Sequence, residues 1–93
     1  MPIDRSLTAR FVETVRTEVG RQEFRDRDVD GLELRVTRAG SKTWCVRYRR
    51  QSEQRKRVLT LGRYPAYSLR EARDLAREAR RVIVRGGDPA GKK

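Results

Sequence analysis

The sequence contains no histidine and a single cysteine, Cys45. Without histidine, the commonest general base and the commonest zinc ligand are both missing. One cysteine builds neither a disulfide framework nor a thiolate metal site, and it fits a reducing, cytosolic setting. Long apolar runs are missing too. The opening, MPIDRSLTAR, has no signal-like apolar core, and no stretch nears the ~20 apolar residues of a membrane helix, so no membrane partner is expected. Hydrophobic residues make up 35% and aromatic ones 6% of the 93, so the one domain this length supports has a thin core. Acid is also scarce: 13 Asp+Glu face 24 Lys+Arg, for a formal charge of +11. That balance points to a polyanionic partner and says little about fold. The plainer alternative is a merely soluble basic protein, and the placement of the charges decides between them.

Catalysis finds no support, and no cofactor is expected. No Ser or Cys has a base at a suggestive spacing. GSKT (40–43) looks like the end of a phosphate loop but lacks the upstream glycine and the strand–loop–helix setting. The acids of DRDVD (26–30) match no calcium loop and read as turn residues beside basic neighbours.

Periodicity supplies the elements. TARFVETVRTEV (8–19) reads as a short amphipathic helix, with Thr8 as N-cap, Leu7 stapling onto Val12, and Val12, Val15 and Val19 as its stripe. A brief strand is suggested around Phe24, with a turn at Asp30-Gly31. LELRVTR (32–38), KTWCVRYRR (42–50) and QRKRVLTLG (54–62) then alternate as strands, joined by short polar links that make them antiparallel neighbours. SLREARDLAREARRVIVR (68–85) opens with a capping box, Ser68 and Glu71, and carries a stripe of Leu69, Ala72, Leu75, Ala76, Ala79, Val82 and Ile83. The expected fold is α+β. A three-stranded antiparallel sheet, with room for one short extra strand, packs on one long C-terminal helix beside a short N-terminal helix. The domain runs over 1–87, with the sheet in 23–62 and a tail or linker at 88–93.

One sheet face is left bare. It presents Arg35, Thr37, Thr43, Arg47, Arg49, Lys56 and Thr60, with Lys42 near a strand end and Glu33 as the one acid. Like charges opposite each other across strands are unfavourable. Arg and Lys supply phosphate contacts, Arg and Thr also read base edges, and a small antiparallel sheet enters the major groove of DNA. In TLGRYPAYSLREAR (60–73) the joint from sheet to helix adds Arg63 and Tyr64 at the margin of that face. The polar side of the long helix interleaves its Arg with Glu71, Asp74 and Glu78, which suits i,i+3 and i,i+4 pairing in solvent.

The segments LTARFV (7–12), DVDGLELRVTRAGSKTWCVRYR (28–49), LTLGRYPAYSLREAR (59–73) and GGDP (86–89) carry a resemblance. In this order they resemble the N-terminal arm-binding domain of phage-type and genomic-island tyrosine recombinases, the integrases. The resemblance implies a noncatalytic, bacterial or phage-encoded module that binds double-stranded DNA at arm-type attachment sites. It also implies other integrase protomers and accessory DNA-bending proteins as partners of the parent protein. The tip QSEQRKR (51–57) is longer than the family pattern, and Glu53 in it repels phosphate. Two other readings stay open at this point: an RNA-binding module, weakened by the lack of exposed aromatics on the sheet, and a protein-interaction module docking through the basic helix face.

Overall fold

The computed structural model describes residues 3–49 and 56–86; residues 51–55 of the expected hairpin tip, Glu53 among them, and the tail at 88–93 lie outside these. The order is β1 (Ile3–Arg5), α1 (Ala9–Thr14), β2 (Arg21–Asp26), β3 (Leu32–Thr37), β4 (Lys42–Arg49), β5 (Lys56–Tyr64) and α2 (Leu69–Val84). The strands form one sheet in the order β1-β2-β3-β4-β5. The α+β class and the long covering helix agree with the sequence reading. The sheet, however, has five strands and is mixed, since β1 pairs parallel with β2 while the other neighbours are antiparallel. The three-residue β1 is too short for alternation to be visible, and its partner is reached across α1 rather than by a hairpin.

The first helix is shorter than the expected 8–19. Thr8 caps it, its Oγ1 accepting from the Phe11 N–H at 3.1 Å, but the chain turns extended at Val15 (ψ 140°) and Val19 stays exposed. Five β-branched residues between 12 and 19 oppose helix and favour extended backbone. The ending is stabilised from outside, because the Lys42 ammonium donates to the carbonyls of Val12 (2.7 Å) and Glu13 (2.8 Å).

The inner sheet face buries Leu32, Leu34, Val36, Trp44 and Val46 completely. The helix α2 lies over β3, β4 and β5, burying Leu69, Ala72, Ala76, Ala79 and Ile83. The three alanines let the helix axis come close to the bulky Trp44. Leu75, assigned to that stripe from the sequence, is 37% exposed at its edge. The capping box forms as expected: the Glu71 N–H donates to Ser68 Oγ (3.1 Å) and the Ser68 N–H to Glu71 Oε1 (2.8 Å). Before it, the Trp44 indole donates to the Tyr67 carbonyl at 2.8 Å, and the Tyr67 ring lies over Gly62 so closely that a Cβ there would sit 2.3 Å from it. The Tyr64–Pro65 bond in this joint is cis.

One polar group fastens α2 to the far side of the sheet. Arg73 donates from Nε to Asp26 Oδ2 (2.9 Å), and from Nη2 to Asp26 Oδ1 (3.2 Å), the Leu7 carbonyl (2.8 Å) and Asp28 Oδ2 (2.9 Å). The Asp26 side chain is fully buried and also accepts from the backbone N–H groups of Leu7 and Asp28. By contrast, Arg77–Asp74 and Arg81–Glu78 are exposed i,i+3 pairs, of the kind worth about 0.3–0.5 kcal/mol. Removing one partner of a buried pair costs about 3–5 kcal/mol, so Arg73→Ala is expected to lower the unfolding free energy in urea by that amount. Burial acts to raise the Asp26 carboxyl, but the Arg73 and backbone hydrogen bonds outweigh it and hold the group below its ordinary 3.8. The folded state therefore binds the proton less readily than the unfolded chain. The stabilisation is complete above the unfolded value and is lost as pH falls through the folded one. Between about pH 5 and about pH 3 the urea midpoint should fall more steeply for the native chain than for Asp26→Asn.

Candidate nucleic-acid interface

The register places the outer face residue by residue. Arg25, Glu33, Cys45 and Thr60 lie in one cross-strand row, Glu23, Arg35, Thr43 and Arg63 in a second, and Arg49 stands directly opposite Lys56. The β1–β3 side of this face is electrically laced. Arg47 pairs bidentately with Glu33 (Nε–Oε2 2.9 Å, Nη2–Oε1 3.4 Å), and Arg25 stands between Asp4 (3.7 Å) and Glu33 (3.8 Å). Glu23 binds Arg21 at 2.9 Å and lies 3.8 Å from Arg35. Glu33 is only 1% exposed, covered by these guanidinium groups. Its hydrogen bond to Arg47, with burial working against it, raises the Arg47 pKa further above the ordinary arginine value. Cys45 is buried under the same cover, and burial pushes its thiol up, which leaves it an inert filler.

The β4–β5 side is different. Arg49, Lys56 and Arg63 are exposed, and no carboxylate among the described residues pairs with them. Thr60 and Val58 are exposed beside them, and Thr43 is half-buried. The face is thus neutralised on one side and uncompensated on the other.

Of the residues singled out in the sequence, Arg35, Thr43, Arg47, Arg49, Lys56, Thr60 and Arg63 come together on this face. Thr37 lies at its far corner with its hydroxyl accepting from the Ser41 N–H at 3.1 Å, which fixes the β3–β4 turn. Lys42 and Tyr64 are corrections. They pair with each other on the helix side of the sheet, where Tyr64 packs against the core and the Lys42 ammonium sits 5.5 Å from its ring. A bulge is the cause for Tyr64: opposite Trp44/Cys45 the β5 chain carries one extra residue, so Gly62 and Tyr64 turn inward and Arg63 outward. Strict alternation from Leu59 gives the reverse. For Lys42 the signal was present, since period two from Trp44 already puts it inside.

The bare face was also expected to hold Glu33 as its one acid, but β1 and β2 add Asp4 and Glu23 together with Arg21 and Arg25. The alternation in RQEFRD (21–26), with Phe24 buried and its neighbours outward, would have revealed the last three.

A family model described as the arm DNA-binding domain matches residues 7–93, nearly the whole chain. The chain belongs to the arm DNA-binding domain family. Among curated proteins it is 37% identical over 83 residues to the integrase of Enterobacteria phage P4, covering 89% of this chain and 18% of that protein. The integrase of Shigella phage Sf6 and the prophage integrase IntS of Escherichia coli K12 are each also 37% identical over 83 residues, with 20% of those proteins covered. The chain therefore spans about a fifth of the length of the integrases it matches. No helix among the described residues is long and apolar enough to cross a membrane, and they hold no cluster of potential metal ligands.

In this arm DNA-binding domain Lys42 serves the fold. Burial, with the nearby Arg16 charge, lowers its pKa, partly offset by Glu13, and its ammonium donates twice to the end of α1 and lies near the Tyr64 ring. Lys42→Ala should cost about 1.5–3 kcal/mol of stability, as for hydrogen bonds that involve a charged group. Duplex affinity of the folded protein should stay unchanged, measured by fluorescence anisotropy beside a urea titration.

Proposed function

We propose that the β4–β5 side of the outer sheet face binds duplex DNA at arm-type attachment sites during site-specific integration and excision. The observation that carries this reading is the pair Arg49 and Lys56, like charges placed directly opposite each other with Arg63 further along the same strand. Such a pair destabilises a sheet, and nothing in the fold among the described residues offsets it. A polyanion does. Geometry supports the same side. Neighbouring strands are ~4.8 Å apart, so β3–β5 span roughly 10 Å and fit a major groove of ~12 Å, whereas all five strands do not. The β1–β2 part of the laced side would then stay outside the groove, where its cations are already satisfied by carboxylates, while the Glu33–Arg47 pair lies within the span.

In this reading Arg49, Lys56 and Arg63 are the main phosphate or base contacts, Thr43 and Thr60 adjust register, and Arg35 and Arg47 lend charge from behind. Arg47 must exchange part of its Glu33 contact to bond DNA, so it ranks below the unpaired residues. The domain itself is noncatalytic and serves a tyrosine recombinase whose other protomers, with accessory DNA-bending proteins, assemble on the same DNA.

Arg63→Gln and Arg49→Gln, each titrated with attachment-region and unrelated duplexes over a salt series, test this. A base-reading arginine costs about 1–3 kcal/mol on the attachment site and relaxes preference there; a phosphate contact weakens all duplexes alike and lowers the salt slope by about 1. Unchanged binding by the double variant at low salt would remove this side of the sheet from the interface.

A further inference from the structure

Where the β2–β3 turn meets the ends of β4 and α2, the surface folds into a notch of about 260 Å³. Its sheet wall carries Arg25, Arg47, Arg49 and Lys56, and its opposite wall is Arg80 of α2. The floor is the turn Asp30-Gly31, where Gly31 holds φ +88° and its carbonyl accepts from the Arg47 N–H at 2.8 Å. A Cβ on Gly31 would sit 2.7 Å from the Arg47 carbonyl, so only glycine lets the turn lie this close to β4. Cations thus converge from two layers of the fold, and the one carboxylate among the described lining residues is Asp30.

We infer that this notch is a phosphate-binding pocket that takes one backbone phosphate of a bound duplex, with Arg80 as its helix-side jaw. The chemistry is that of a guanidinium on a tetrahedral dianion or diester, which is stronger and more directional than its present contact. That contact is weak: Arg80 Nη2 lies 3.4 Å from Asp30 Oδ2, with the Asp30 side chain 83% exposed. A phosphate entering the notch displaces Asp30 from Arg80 at small cost. Arg49 and Lys56 belong both to the notch and to the outer face, so a strand lying along the sheet end meets Arg80 as it leaves. This contact reads no base; it fixes the angle at which the duplex leaves the sheet. The inference rests on the sheet reading for the path of the DNA, while the pocket's own affinity for phosphate does not.

The test uses Arg80→Gln and Asp30→Asn in the 93-residue chain, with thermal melts confirming the fold. Arg80→Gln should lower the salt slope by about 0.9, the loss of one phosphate contact, with sequence preference kept. Asp30→Asn should act oppositely and bind every duplex more tightly. Inorganic pyrophosphate added to the chain alone should shift the Gly31 amide and the Arg80 side-chain signals, and the Gly31 amide should not shift in Arg80→Gln. An unchanged slope in Arg80→Gln with a neutral Asp30→Asn overturns the pocket, whatever Arg63→Gln does. If instead the double variant of Arg49→Gln with Arg63→Gln binds DNA normally at low salt while pyrophosphate still shifts Gly31 and Arg80 in the native chain, the pocket stands and the sheet reading falls.

Discussion

A single guanidinium, that of Arg73, ties this small fold together. It reaches from the long helix to a carboxylate with no solvent exposure on β2 and to the Leu7 carbonyl between β1 and α1. Among the described residues α2 packs chiefly over β3, β4 and β5. Without Arg73 the first two strands and the short helix would be joined to the rest by the β2–β3 ladder, the Lys42 hydrogen bonds to the end of α1, and the apolar side chains around Leu7, Val12, Val15 and Phe24. A buried ion pair is poor evidence of net stability, since apolar residues of similar volume often serve as well. Its value here is positional. It links the helix, which covers one sheet face through its apolar stripe, to β2 and the β1–α1 connection.

What the open side becomes depends on where the carboxylates fall. Glu23, Glu33 and Asp4 pair with Arg21, Arg25, Arg35 and Arg47, while Arg49, Lys56 and Arg63 on β4 and β5 have no carboxylate partner among the described residues. The same composition spread evenly would give a soluble surface with no preferred partner. Segregated, it gives a sheet that is held firm on one side and electrostatically unsatisfied on the other. Membership of the arm DNA-binding domain family, together with relatives that are integrases, names the class of polyanion that this imbalance is proposed to meet.

Much of this was legible in the sequence, and the exceptions have physical causes. The helix α2 was read nearly to its ends because Ser68 and Glu71 announce its start and Gly86 its end, where the chain takes φ +86°. The faces of β3 and β4 followed from alternation around Leu34 and Trp44. The shortness of α1 was written in its β-branched residues but was masked by a plausible stripe of valines. The parallel β1 was not legible, because three residues carry no period. The bulge in β5 was not legible either, since one extra residue beside Gly62 leaves composition and hydropathy unchanged while turning Tyr64 to the core and Arg63 to the surface. Arg73 has no local signature: on a helix crowded with arginines, nothing separates the one that is drawn inward from those that pair with Asp74 or Glu78 in solvent.

The most direct measurement is residue-resolved chemical-shift mapping of the isotope-labelled domain titrated with an attachment-region duplex. The largest changes are expected at Thr43, Thr60 and the backbone and side-chain N–H groups of Arg49 and Arg63, while the Arg73 side chain stays still. Changes confined to residues 74–85 of α2, with β4 and β5 unmoved, would contradict the sheet reading.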